Sequence, residues 1–156
     1  MEKAENQLKY ENYREQFKRL KSAINGGFNL EAMFIEYAIM EDRTESIIRH
    51  ADKWDAYLKS RRGREPTINS KVVYIQKLAE NRKDPLHKYF SDNLLADTLN
   101  WKDERNRLIH ALLKQQLEHN EIKMLAEEGR RLADELRKRA GNYNRTIDRR
   151  KTKEAR

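Results

Sequence analysis

Apolar residues recur along this chain at spacings of three and four. Tyr10, Tyr13, Phe17, Leu20 and Ile24 form one stripe, which predicts an amphipathic helix over residues 3–24. Asn25-Gly26-Gly27 ends it, with glycine available for a left-handed cap. Asn29 can cap a second helix over 30–58, whose first third is apolar nearly all round and therefore expected to be buried among neighbours. Ser60 to Pro66 reads as a basic loop, and Ile68, Val72, Ile75 and Leu78 predict a short helix over 68–81. Asp84-Pro85 reads as a cap followed by a helix-starting proline. Leu86, Tyr89, Phe90, Leu94, Leu95 and Leu99 fit one broken helix or two short ones, and Trp101 to Leu117 fits another. Ile122, Leu125, Gly129, Leu132, Leu136, Ala140 and Tyr143 predict a long last helix over 119–146. No strand alternation and no internal repeat is present. The pattern predicts an all-α, antiparallel bundle of five to seven helices in one domain, residues 1–146. The basic tail, 147–156, has nothing to bury and is expected to be disordered.

Composition agrees with a helical chain. Gly 5 and Pro 2 are too few for a turn-rich β-sandwich. Cys 0 excludes a disulfide scaffold, a cysteine nucleophile and a thiolate zinc site. The longest nearly apolar run, Phe28 to Met40, is interrupted by Glu31 and Glu36 and is too short to span a bilayer. The first residues, Met-Glu-Lys-Ala-Glu-Asn, have no signal-peptide core. The expectation is a soluble, cytoplasmic chain that does not engage a membrane.

The formal net charge is +8, and it is unevenly placed. Residues 130–156 hold eleven Lys/Arg against four Asp/Glu, while residues 1–129 hold 23 against 22. Lys59, Arg61, Arg62 and Arg64 form a second small cluster. Basic ends attract polyanions, nucleic acid first, although a solvated helix end has the same composition.

The segment that carries candidate chemistry is Trp101-Lys-Asp-Glu-Arg105-Asn106-Arg107-Leu108-Ile109-His110. At about 100° per residue, Leu108, Ile109, Leu112, Leu113 and Leu117 share one apolar arc. Arg105 lies near the middle of that arc, Asn106 lies inside it and His110 lies on its edge. Arg107 and Lys114 point away. An arginine on an apolar stripe needs a wet site or a partner, because a dry, unpaired guanidinium is costly. Asn106 and His110, four apart, share a helix face.

Arg105-Asn106-Arg-Leu-Ile-His110 resembles the signature of the HEPN domain: arginine, a polar residue, and histidine after four to six intervening positions. Arg43 with His50 and Arg82 with His87 also fit that loose spacing, but only Arg105 is followed by asparagine. The resemblance implies a small helical bundle and a metal-independent endoribonuclease, acting as a toxin or in anti-phage defence. It also implies a homodimer in which two signatures face each other to form one RNA-cleaving cleft. Arg105, His110 and Asn106 would be its catalytic residues, with an antitoxin or other regulatory protein as a further partner. Some members carry tyrosine two positions after the histidine as a target for nucleotidylation. Here that position is Leu112, which argues against that subgroup.

The chemistry suits these residue types. RNA carries its own nucleophile, the 2′-hydroxyl. Histidine, with an unperturbed pKa of about 6.5, suits proton transfer, and arginine's charged fork suits the phosphorane. The product would be a 2′,3′-cyclic phosphate.

Arg107, Arg61, Arg62 and Arg64 are candidates for contacting RNA, and Trp101 for stacking on a base. Glu36 stands alone on an apolar side of the second helix. It is expected either to pair with Arg43 or with an arginine on another helix, or to orient Arg105 or Arg107 from behind. His50, His87 and His119 are isolated, so no metal and no cofactor is assigned. The rival readings are a non-catalytic helical module that binds nucleic acid or protein, and a helical assembly protein.

Overall fold

The computed structural model describes residues 2–155, with side chains from residue 7 onward. Among the described residues there are seven helices and no strand: α1 (Glu2–Gly26), α2 (Asn29–His50), α3 (Trp54–Arg61), α4 (Ile68–Ala79), α5 (Pro85–Phe90), α6 (Leu94–Ala111) and α7 (His119–Glu154). The all-α expectation holds.

Helix ends follow local chemistry. After α1, Gly27 adopts φ 77°. Its N–H bonds to Ile24 O (3.2 Å) while that of Phe28 reaches Ala23 O (2.8 Å), the paired bonds of a glycine-terminated helix. Thr67 caps α4 through Ser70 N, with the Ser70 side chain answering to the Thr67 N–H. Asp84 caps α5 through Leu86 N, with Pro85 opening the helix.

Three sequence expectations are corrected. The helix expected over 30–58 is two helices. The break falls at Asp52, which takes φ 54°. Its N–H and that of Lys53 close onto Arg49 O (3.0 Å) and Ile48 O (3.1 Å), the same termination as at Gly27 but without glycine. The turn lets the Arg49 guanidinium stack 4.2 Å over the Trp54 ring. The helix expected over 101–117 instead starts at Leu94 and stops at Ala111, so Arg105 lies mid-helix. Leu108 is buried, but Leu112 and Leu113 fall beyond the helix end and are exposed. Finally, the segment expected to be disordered from 147 continues α7 to Glu154. It contains no helix breaker, Ile147 packs on the core, and Lys151 pairs with Asp52 (2.7 Å).

The central contact is between α2 and α7. Glu36 meets Gly129, Ser46 meets Asn144 and Asp52 meets Lys151, in the same order along both helices, so α2 and α7 run parallel. This departs from an all-antiparallel bundle. By contrast, α1 runs antiparallel to α7, with Phe17 by Arg137 and Lys21 by Arg130. The α6 helix is also antiparallel to α7: Trp101 bonds Leu125 and Arg107 reaches Glu121. Ala32, Met33, Met40, Ile47 and Ile48 from α2 and Leu132, Leu136, Ala140 and Tyr143 from α7 fill the core between them. That burial is the main source of stability in a chain of this composition.

Candidate functional site

The central region of α6 presents Arg105 toward α2 rather than toward a carboxylate. The guanidinium carbon stands 4.9 Å from the Phe34 ring centroid and 4.7 Å from that of Tyr37. Phe34 and Tyr37, three apart, share a face of α2. Arg105 Nη1 donates to Asn106 Oδ1 (3.1 Å), and its buried Nε has no partner among the described residues. This resolves the arginine on an apolar stripe. Flat, weakly hydrated guanidinium stacks on aromatic faces, so the charge is held without being neutralised. Burial pulls the Arg105 guanidinium below its usual value, with Tyr37 partly offsetting it. Burial is also the main cause that raises the Tyr37 phenol.

Asn106 is half-buried and its carbonyl is occupied by Arg105, which leaves its amide N–H groups free to meet a ligand. His110, one helical turn on, is exposed near the end of α6 and makes no side-chain hydrogen bond among the described residues. Phe34, beside Arg105, is 60% exposed, and Leu112 and Leu113, just beyond the end of α6, are exposed as well.

The supporting residues fall differently from the sequence expectation. Trp101 is 3% exposed and its Nε1 donates to Leu125 O (2.8 Å), so it is a core residue and presents no face to a base. Arg107 is exposed but doubly engaged, to Glu104 (2.9 Å) and Glu121 (2.7 Å), and these carboxylates raise its pKa. It ties α6 to the start of α7. Arg61 donates to Glu65 O (3.1 Å) and Arg64 to Arg61 O (3.2 Å), and with Arg62 they form a self-contained loop. Among the described residues no hydrogen bond or ion pair brings that loop to α6.

Glu36 is fully buried and both carboxylate oxygens lack a hydrogen-bond partner among the described residues. It orients neither Arg105 nor Arg107. Arg43 instead pairs with Asp42 and donates to Tyr13 Oη (2.7 Å), so that expectation is corrected as well. Glu36 faces Gly129 and Trp101 at the crossing of α2, α6 and α7. Burial pushes its carboxyl up to about 9, with Arg130 opposing weakly, and it is therefore uncharged at neutral pH.

Phe34 and Tyr37, which hold Arg105, were not singled out as site residues from the sequence. Their signal was present as an aromatic pair at i and i+3 on an otherwise core-facing segment. No family model matches the chain, and neither a curated protein nor a solved structure matches it.

Proposed function

We propose that this protein is a HEPN-type, metal-independent endoribonuclease in which Arg105 binds the scissile phosphate and His110 moves protons. One observation carries the reading. A half-buried guanidinium is held by two aromatic rings and an asparagine instead of a carboxylate, and that asparagine lies one helical turn from an exposed histidine. A guanidinium so held keeps its full charge for an anion, and an exposed imidazole is free to reach a 2′-hydroxyl or a leaving 5′-oxygen.

One chain supplies one such histidine and one such arginine, while 2′-hydroxyl attack needs a proton acceptor and a proton donor. A two-fold dimer with the two 105–110 segments facing each other supplies both. The exposed Phe34, Leu112 and Leu113 would line its seam. A role as a toxin or in phage defence, in the cytoplasm and under control of a protein partner, follows from the resemblance.

The second reading, a non-catalytic nucleic-acid-binding module, is favoured by the fact that no side chain among the described residues hydrogen-bonds to His110. The test is an RNase assay on wild type and folded His110→Ala, with and without chelator, and with analysis of product ends. Cleavage by wild type alone, unaffected by chelator and leaving 2′,3′-cyclic phosphate, supports the enzyme. RNA retained without cleavage by either protein supports the module.

A further inference from the structure

The exposed face of α1 has a character of its own. Tyr10, Arg14, Phe17, Lys18 and Lys21 fall on one side of this helix at spacings of three and four. Together with Arg137 and Gly141 of α7, and with Arg43, they line a groove of about 670 Å³ whose lining contains no acidic side chain. A neighbouring cavity of about 430 Å³ shares Phe17 and Lys21 and adds Arg130 and Arg131 together with the carboxylates of Glu127 and Asp134, so the acid-free stretch ends with the first groove.

The charges in this groove differ in what already neutralises them. Arg43 is paired with Asp42, and Arg137 with Asp134 (2.8 Å). Arg14, Lys18 and Lys21 make no ion pair among the described residues, so three uncompensated cations stand in a row on one helix. The aromatic rings alternate with them. Arg43 stacks 4.3 Å over Tyr13 and Arg137 stacks 5.0 Å over Phe17, which leaves two pre-ordered guanidinium–aromatic steps. Tyr10 is 63% exposed and carries no such partner.

From this alternation we infer that the α1–α7 groove is a binding site for single-stranded RNA, with Arg14, Lys18 and Lys21 taking successive phosphates and Tyr10 stacking on a base. Cations alone would suit any polyanion. An exposed aromatic face within a basic groove suits unpaired bases, because every base has a stackable face and a duplex hides it. The groove includes neither Arg105 nor His110, so it contributes affinity rather than chemistry. The choice of RNA as the strand rests on the proposed ribonuclease function; the groove itself rests on its own geometry.

The test uses the full chain carrying His110→Ala, so that RNA survives, and a labelled single-stranded oligoribonucleotide of about 12 nucleotides. A duplex of the same sequence and heparin serve as competitors. Arg14→Gln/Lys18→Gln/Lys21→Gln, checked for helicity and melting, should weaken binding more than tenfold at about 0.1 M salt and lower the log–log salt slope by about 2. Tyr10→Ala should weaken single-strand binding about tenfold, leave duplex binding unchanged and so erase the preference for single strands. Unchanged affinity in both variants overturns the inference. So does an equal loss for single strand, duplex and heparin, which would make the face a general polyanion patch. Wild-type cleavage is scored separately: cleavage with unaltered binding in the groove variants refutes the groove alone. Groove-dependent binding without cleavage refutes the ribonuclease alone.

Discussion

Replacing Glu36 by glutamine should flatten the dependence of folding stability on pH. In the folded chain this carboxyl titrates near 9, against 4.5 for an ordinary glutamate, because α2, α6 and α7 exclude water from it and no donor reaches it. The sign follows from which state holds the proton. Between these two values the native state keeps the proton and the unfolded state releases it, so native Glu36 binds more protons. Its contribution is fully present below the unfolded value and is lost as pH rises through the folded one. The loss runs at up to about 1.4 kcal/mol per pH unit, or about 3 kcal/mol by neutral pH and on the order of 6 by pH 9. Asp42 acts elsewhere on the scale. Despite its partial burial, bonds from Lys9, Tyr13 and Arg43 hold it down to about 2, so its contribution disappears only in acid. Tyr13 and Tyr143, raised mainly by burial, act only in strong base.

Urea unfolding followed by helical circular dichroism, from about pH 5 to about pH 9, measures this directly. Wild type should lose stability steadily across the range. Glu36→Gln keeps the shape and cannot ionise, so it should show a nearly level profile and be the more stable protein at the alkaline end. A wild-type profile that is flat or rises with pH would show that Glu36 is hydrated or paired in solution. Parallel slopes for the two proteins would do the same.

Other consequences are as direct. His110→Ala should lower RNA cleavage by about 10²–10⁴-fold and Arg105→Ala by about 10²–10³-fold, measured as single-turnover rates on folded protein; Arg105→Lys should recover little, because an ammonium neither stacks nor forks as a guanidinium does. Gly129→Ala should destabilise by at least about 1–3 kcal/mol in the same urea assay, since its methyl would collide with Glu36 and lie 2.5 Å from Trp101. Neutralising Arg149 and Arg150 should leave melting unchanged, as both are exposed, while reducing the salt slope of RNA binding by up to about 1.4; Tyr143→Ala, by contrast, should cost about 3–5 kcal/mol by analogy with buried Phe.

The helices legible in the sequence are those whose ends carry specific chemistry. Gly26-Gly27, Thr67 and Asp84-Pro85 stop or start helices by means that a sequence displays. The break at Asp52 was hidden because aspartate in a left-handed turn has no obligatory neighbour, and what fixes it is tertiary: Trp54 under Arg49, and Lys151 reaching back. The parallel course of α2 and α7 was equally hidden, since periodicity reports which face is buried and not which way the neighbour runs. At the site, the wheel located Arg105, Asn106 and His110 but not what holds the arginine. A wet position or a partner carboxylate was expected, and the two rings of Phe34 and Tyr37 are what is observed. Glu36 was recognised as out of place on an apolar face. An arginine was expected to balance it; Arg130 of α7 only partly opposes the effect of burial, and no hydrogen bond reaches the carboxylate among the described residues.

What separates cations that build this protein from those left free to act is the company each keeps. Among the half-buried arginines, Arg43, Arg137 and Arg139 each hold a carboxylate, and Arg61 holds a backbone carbonyl. Such pairs fix one side chain against another, and their charge is largely spent on its partner. Arg105 gains its position from two rings and an amide, none of which carries a countercharge, so under the proposed function an incoming phosphate would meet a cation that is both held and unpaired. Arg14, Lys18 and Lys21 differ in that they are exposed and make neither an ion pair nor a stacking contact among the described residues. A phosphate gains attraction from them but must first restrain long side chains, which is the energetic profile of a tether rather than of a transition-state clamp. The same distinction predicts how the two sites respond to salt. Binding through the α1 face should weaken steeply as counterions compete, whereas the contribution of the half-buried Arg105 to the bound reaction rate, measured at saturating RNA, should change less. An Arg105→Ala rate defect that vanished at high salt would place Arg105 with the tethering residues and leave His110 without its partner in chemistry.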